Sequence, residues 1–271
     1  MRVLVTGSTG NLGEKAVAAL SAIPNLDIRR IGRNTAGKID VIAADLEIYD
    51  DSWAQHFHDI DAVLHLAADP KPFAGWSSIT RYNVDLTLNV LRAASEAKVK
   101  RFIFASSNWI LGGYRFSREP LRDSTVPRPI NPYGASKLFI ERQGLSLSAQ
   151  SGMLFLSLRI GYCAPGQNVP GPHMGFGRWG QEMWLSNADW EQAVQKSCLA
   201  PLAHSAVINI MSDNTGMRWD LDLARSTIGY APVSDHTPKM TTMGTLKESV
   251  AMLRDMLLPT MSETPLFGRR W

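Results

Sequence analysis

Tyr133 and Lys137 stand four residues apart in Tyr133-Gly134-Ala135-Ser136-Lys137, within a stretch, Tyr133 to Ala149, that reads as a long helix. That spacing puts both side chains on one face. A phenol near pKa 10 is a poor base at neutral pH. A neighbouring ammonium stabilises its phenolate, which can then take a proton from a hydroxyl. Alone the pair says little, because such pairs arise by chance in many helices. Ser107 strengthens it. It closes the apolar run Arg101-Phe102-Ile103-Phe104-Ala105-Ser106-Ser107, so its hydroxyl opens at a strand end, where it can hydrogen-bond a reacting oxygen. Asn83, in the preceding helical stretch Ile79 to Ala97, could complete a proton relay through water.

A second constellation lies at the N-terminus. Thr6-Gly7-Ser8-Thr9-Gly10-Asn11-Leu12-Gly13 joins a buried strand, Arg2 to Thr6, to a helix running from about Leu12 to Ile23 and stopped by Pro24. The spacing is Gly-x-x-Gly-x-x-Gly. Gly7, Gly10 and Gly13 allow a tight turn and close approach to a pyrophosphate. The helix N-terminus at Asn11 and Leu12 offers N–H groups and a positive dipole end. In isolation this is also a plain strand–helix turn; the flanking strand and helix favour dinucleotide binding. A positive nicotinamide ring would further stabilise a Tyr133 phenolate and accept the hydride leaving the same carbon.

The second strand ends in Ile28-Arg29-Arg30-Ile31-Gly32-Arg33-Asn34, with no acid to hold an adenosine ribose. Arg33 is placed to meet a 2′-phosphate, so NADP is the preferred cofactor and NAD the other; a solvated surface arginine is the plain alternative. Asp45-Leu46 could meet the adenine, or Asp45 could cap a helix. Ala67, just past the strand Ala62 to Leu66, and Lys137 complete the expected cofactor contacts.

Positioning these groups takes alternating strands and helices. Leu26 to Ile31, Asp40 to Ala43, Ala62 to Leu66, Arg101 to Ala105 and Met153 to Ile160 are short apolar runs separated by helical stretches. They predict an α/β fold, a doubly wound, Rossmann-like parallel sheet with a small C-terminal substrate-binding lobe. The expected division is a dinucleotide-binding core over 1–160, completed by a return strand near 206–210, and a lobe from 161–205 and 211–271. Pro165 to Gly180 is too rich in Gly and Pro to be one regular element. Ser186 predicts a capped helix to about Leu199, and Trp219 to Ile228 reads as another. Trp179, Trp184, Trp190, Trp219 and Trp271 read more readily as core than as sugar platforms, and His65 as packed rather than as a base. His173 reads as a surface residue, or as one that could touch substrate.

Bulk properties exclude little else. Lys plus Arg minus Asp plus Glu is 28 − 25, a net charge of +3 over 271 residues. That is too weak to argue for nucleic acid or membrane partners. Cys163 and Cys198 make no metal-ligand spacing, so no metal and a reducing, cytoplasmic compartment are expected. Met1-Arg2-Val3-Leu4-Val5 runs straight into a strand, which fits no cleavable signal peptide.

Taken together, Gly7, Gly10, Gly13, Asn83, Ser107, Tyr133 and Lys137 resemble the extended short-chain dehydrogenases/reductases of the epimerase/dehydratase type. Within them the chain is most similar to the uronate dehydrogenases. The likeness lies in Phe104-Ala105-Ser106-Ser107-Asn108, Tyr133-Gly134-x-Ser136-Lys137, Arg159-Ile160-Gly161-x-Cys163-x-Pro165, Trp219-Asp220 and Pro265-Leu266-Phe267. The resemblance implies an oxidoreductase moving hydride between the cofactor and a hydroxyl or lactol carbon of a small polar substrate, a sugar acid in that family. It implies that Arg178 clamps a substrate carboxylate, Asn108 contacts a sugar hydroxyl and Phe267 packs near the site. It also implies a homodimer or higher homo-oligomer. Three departures stand out: no ribose-binding acid near Gly32-Arg33, Tyr162 in place of a small hydroxyl residue, and a longer loop from Gly166 to Gly180. The alternatives are a nucleotide-sugar epimerase or related carbonyl reductase, and a non-catalytic NAD(P)-sensing protein.

Overall fold

Seven strands form one parallel sheet in a computed structural model that describes residues 1–35 and 37–257. They are β1 (Arg2–Thr6), β2 (Asp27–Gly32), β3 (Val41–Ala43), β4 (Ala62–His65), β5 (Arg101–Ser107), β6 (Leu154–Ile160) and β7 (Ala206–Ile210), in the order β3-β2-β1-β4-β5-β6-β7. β4 is buried throughout and β1 at every residue but Arg2, as a parallel sheet covered on both faces requires. Alternate residues feed two cores. Val3 and Val5 face one side with α1 (Asn11–Ser21), while Leu4 and Val63 face the other. The strand order reverses between β1 and β4, which opens a crevice at the carboxyl ends. Registers Thr6↔His65 and Ser107↔Ile160 bring four strand ends to that one edge.

Between β3 and β5 the chain forms α2 (Asp51–Ala54), α3 (Trp76–Ile79), a π-turn at Thr80–Asp85 and α4 (Leu86–Glu96). After β5, a 3₁₀ segment at Asn108–Tyr114 leads to α5 (Pro132–Ser151). Asn131 caps α5, its Oδ1 accepting the Gly134 N–H at 2.7 Å. Pro132 fills the first helical position, where no N–H is needed. Gly152, at φ 76°, ends the helix.

After β6 come α6 (Gly177–Glu182), α7 (Asn187–Leu199), α8 (Asp222–Ile228) and α9 (Thr242–Leu257). α7 is capped by Ser186 and lies against α1: Trp190 Nε1 donates to the Leu12 carbonyl at 3.2 Å, and Gln195 Nε2 to that of Ala19 at 2.9 Å. Trp179, Trp184, Trp190 and Trp219 are all buried; Trp271 lies outside the described residues. Three details differ from the sequence reading. Trp219 pairs with Leu121 in an isolated bridge, so its helix starts only at Asp222. α6 forms at the end of the Gly/Pro-rich stretch. α9 was not anticipated. Among the described residues no helix is long and apolar enough to cross a membrane.

Candidate active site

The glycine turn is built around close contacts that only glycine permits. Gly7 adopts φ +64°, and a Cβ there would lie 2.7 Å from the Ala67 nitrogen. A Cβ on Gly13 would fall 2.1 Å from the Gly7 carbonyl oxygen. α1 therefore starts hard against the turn, and its N-cap residue, Gly10, makes no side-chain cap. Asn11 is turned aside, its Nδ2 donating to the Cys163 carbonyl at 2.9 Å. A cavity of about 860 Å³ runs from this turn along the strand ends. Gly7, Gly10, Asn11, Leu12, Gly13, Arg33, Asp45, Leu46, Ala67 and Lys137 all line it. The uncapped helix end and the small-residue cradle fit a pyrophosphate. Arg33 stands beyond β2 with its guanidinium 4.8 Å from the Tyr82 ring centre. Arg30 is engaged elsewhere, donating to Asp40 at 2.6 Å.

Ser107, Tyr133 and Lys137 meet at the far end of the same cavity. The register of β5 carries Ser107 to the crevice, and the first turn of α5 carries Tyr133 beside it. Burial pushes the Tyr133 phenol up to about 12; the Ser107 hydroxyl bonded to it lowers it and the Asp69 carboxylate raises it. The Ser107 Oγ also accepts the Trp109 N–H at 3.2 Å. Lys137 is buried with its ammonium 5.5 Å from the Tyr133 ring centre, donating to the Ala105 carbonyl at 2.8 Å. Burial brings it down to about 7, opposed by Glu141 one turn on. Glu141 is itself held by a buried network: it accepts from Ser106 at 2.7 Å and from both Nε and Nη2 of Arg159, at 3.1 and 2.9 Å. Tyr133, Lys137 and Glu141 thus form one stripe along α5.

The remaining expected residues divide. Asn83 is buried in the π-turn and is not part of the cavity wall. It clasps the peptide of Asp69, accepting its N–H at 2.8 Å and donating to its carbonyl at 3.1 Å. Asn108 lies fully buried behind the wall, donating to the Arg159 carbonyl at 2.9 Å. The 3₁₀ turn that begins there rotates Trp109, not Asn108, onto the wall. Arg178 is exposed on α6 and outside the wall, with the Glu248 carboxylate of α9 facing it. Phe176 and Gly177 both take positive φ, 70° and 59°, and this re-aims the chain. Phe176 turns into the cavity while Arg178 turns to solvent. His173 is exposed, and Phe267 lies outside the described residues. His65 is a packed residue: its ring bonds Thr6 at 2.7 Å and Thr87 at 3.0 Å, and burial drives it down to about 3.

Sequence reasoning missed Asp69, Trp109, Phe176 and Met183, which line the substrate end together with Tyr162. The position of Asp69, just past the fourth strand at the reversal of strand order, was the available signal. For Phe176 there was none, since a non-glycine residue at positive φ leaves no mark in the sequence.

Residues 3–173 match the NAD dependent epimerase/dehydratase family. The chain is 32% identical to L-arabinose 1-dehydrogenase (NAD(P)(+)) of Haloferax volcanii, over 85% of this chain and 96% of that protein. It is 29% identical to the uronate dehydrogenase of Pseudomonas syringae pv. tomato, over 85% of this chain and 81% of the relative. The fold superposes on the crystal structure of glucuronic acid dehydrogenase from Chromohalobacter salexigens with a TM-score of 0.74 at 26% identity, covering 86% and 85% of the two chains. With the glycine cradle and the Ser-Tyr-Lys group on one cavity, the chain is an NAD(P)-dependent oxidoreductase and belongs to the NAD-dependent epimerase/dehydratase family of extended short-chain dehydrogenases/reductases.

Proposed function

We propose that the enzyme oxidises the anomeric hydroxyl of a small sugar to a lactone, with NADP preferred over NAD. The observation that carries this is the position of the Tyr133 phenol: on the cavity wall, bonded to Ser107, with Lys137 behind it and the glycine cradle at the other end. Ser107 holds the lactol oxygen. Tyr133 takes its proton as the C1–H bond breaks and the C1–O bond becomes a carbonyl. When bound, the oxidised nicotinamide supplies the hydride acceptor and a positive charge that favours the phenolate. Lys137 adds a second positive charge on the buried side. Asn83 acts on this site by fixing Asp69.

The relatives that oxidise arabinose and uronates support a sugar lactol as substrate. The missing acid after β2 and the exposed Arg33 beside the cavity support NADP. The segments 161–205 and 211–271 are the proposed substrate-binding part; among the described residues, 161–165, Phe176 and Met183 of the first segment line the wall and the second adds none. A cytoplasmic homo-oligomer remains the proposed setting.

Turnover on a panel of aldoses, uronates and sugar phosphates, with each cofactor, tests the reading. Tyr133→Phe is expected to bind the dinucleotide normally and to lose most turnover. Near-normal rates for that variant at saturating substrate would refute the mechanism.

A further inference from the structure

We propose that Asp69 is a specificity-determining residue that makes this site take neutral sugars and turn away sugar acids and sugar phosphates. The inference rests on the sugar-dehydrogenase reading above and narrows its substrate class.

Asp69 lines the cavity close enough to Tyr133 for its charge to act on the phenol. It is held with unusual firmness for a loop residue. Asn83 clasps its peptide on both sides. Its Oδ2 accepts the Ser78 hydroxyl at 2.5 Å and its Oδ1 accepts the Lys71 N–H at 3.0 Å. A carboxylate has about four acceptor sites, so two are used and two remain for substrate. Sugar hydroxyls are donors and match them. A carboxylate or phosphate brought to the same place would meet like charge.

The cations on the wall do not offset this. Among the described residues they are Arg33, Lys71 and Lys137. Arg33 stands by Tyr82 at the opposite, adenosine end. Lys137 is buried beneath the phenol and bonded to the Ala105 carbonyl. Lys71 is exposed at the rim, where water screens its ammonium. The arginine that the uronate dehydrogenase likeness points to, Arg178, lies off the wall and faces Glu248. What surrounds the reacting end instead is aromatic: Trp109 and Phe176 meet edge to face at 4.9 Å, and Tyr162 flanks Phe176 at 6.2 Å. Such faces suit the C–H side of an uncharged sugar ring and bring no positive charge to an anion.

The test compares kcat/KM for a neutral aldose and its C6 acid, for example galactose against galacturonate, and glucose against glucose 6-phosphate. Each is measured in the wild type, Asp69→Asn and Asp69→Glu. The wild type is expected to prefer the neutral member by at least about tenfold. Asp69→Asn should shrink that preference by about ten- to a hundredfold, the weight of a charge-assisted hydrogen bond. Asp69→Glu should keep the preference. The ratio is taken within one variant, so damage common to all substrates cancels. A wild type that favours the acids, or an Asn variant with an unchanged ratio, overturns the inference and leaves the dehydrogenase reading standing. No turnover on any sugar overturns both.

Discussion

Replacing Lys137 with methionine should make the protein more stable and nearly inactive. The buried ammonium is held down to about 7 from 10.5 by desolvation. Between those two values the unfolded chain binds a proton that the folded one resists, so folding at pH 7 works against about 4–5 kcal/mol at 1.36 kcal/mol per unit. Methionine removes that cost and retains most of the stem. It also strips the Ala105 carbonyl of its donor, a loss of about 1–3 kcal/mol. The net gain is about 1–4 kcal/mol at pH 7, which at 271 residues is a rise in Tm of about 2–7 °C. The sign of the pH dependence provides an internal check. Wild-type stability should climb relative to the variant by about 1.4 kcal/mol per unit from about 7 to 10.5, so the gap closes in alkali. Turnover should fall about a hundredfold or more, because the phenolate has lost its buried countercharge. Thermal melts of both proteins at pH 7 and pH 10, alongside steady-state rates, decide the matter. A variant that melts lower at pH 7, or a gap that does not narrow toward pH 10, refutes the account of Lys137 as a charge held against desolvation.

Arg33→Ala should lower kcat/KM with NADP by about one to two decades while leaving NAD nearly untouched, since only the 2′-phosphate gains a charge-assisted bond there; steady-state rates with each cofactor check it. Gly13→Ala, whose Cβ would sit 2.1 Å from the Gly7 oxygen, should weaken dinucleotide binding and cost about 1–3 kcal/mol of stability, read by titration and by denaturant melts. His65→Gln should gain stability over the wild type as the pH falls. The imidazole is held at about 3 against 6.5, so its contribution is complete above pH 6.5 and is lost at about 1.4 kcal/mol per unit as pH falls toward 3. Asp123, raised by burial to about 6 from 3.8, works the other way: its contribution is present below about 4 and lost as pH rises to 6. Asp123 acts in both proteins, so urea melts from pH 7 to pH 4 should show the wild type losing about 1.4 kcal/mol per unit relative to the variant below pH 6.5.

What could be read from the residues, and what could not, follows from how far apart in the chain the deciding interactions lie. The glycine turn was legible because its geometry is local: Gly7, Gly10 and Gly13 sit between one strand and one helix, and their spacing carries the turn. Tyr133 and Lys137 were legible for the same reason, since four residues of helix fix their relation wherever the helix goes. Parallel order followed from buried runs broken by helices. Asn108 shows where this stops. It follows Ser107 directly, so reading it as a wall residue assumed that the strand's exposure continued. The Ser107 hydroxyl instead accepts the Trp109 N–H and starts a 3₁₀ turn, and the next side chain on the wall is an indole. Arg178 fails by a different route. The expected role depends on the path of a long loop, and here, with Phe176 and Gly177 at positive φ, Phe176 faces the cavity and Arg178 faces solvent. Asp69 is the most instructive case. Its residue type was visible, but its value rests on Asn83, fourteen positions away, and on Ser78, nine away, which together turn a loop carboxylate into a fixed one. In this fold the cofactor end is therefore written in short motifs, while the substrate end is written in contacts between loops. Two chains that share every catalytic residue can consequently differ in the charge of the sugar they accept.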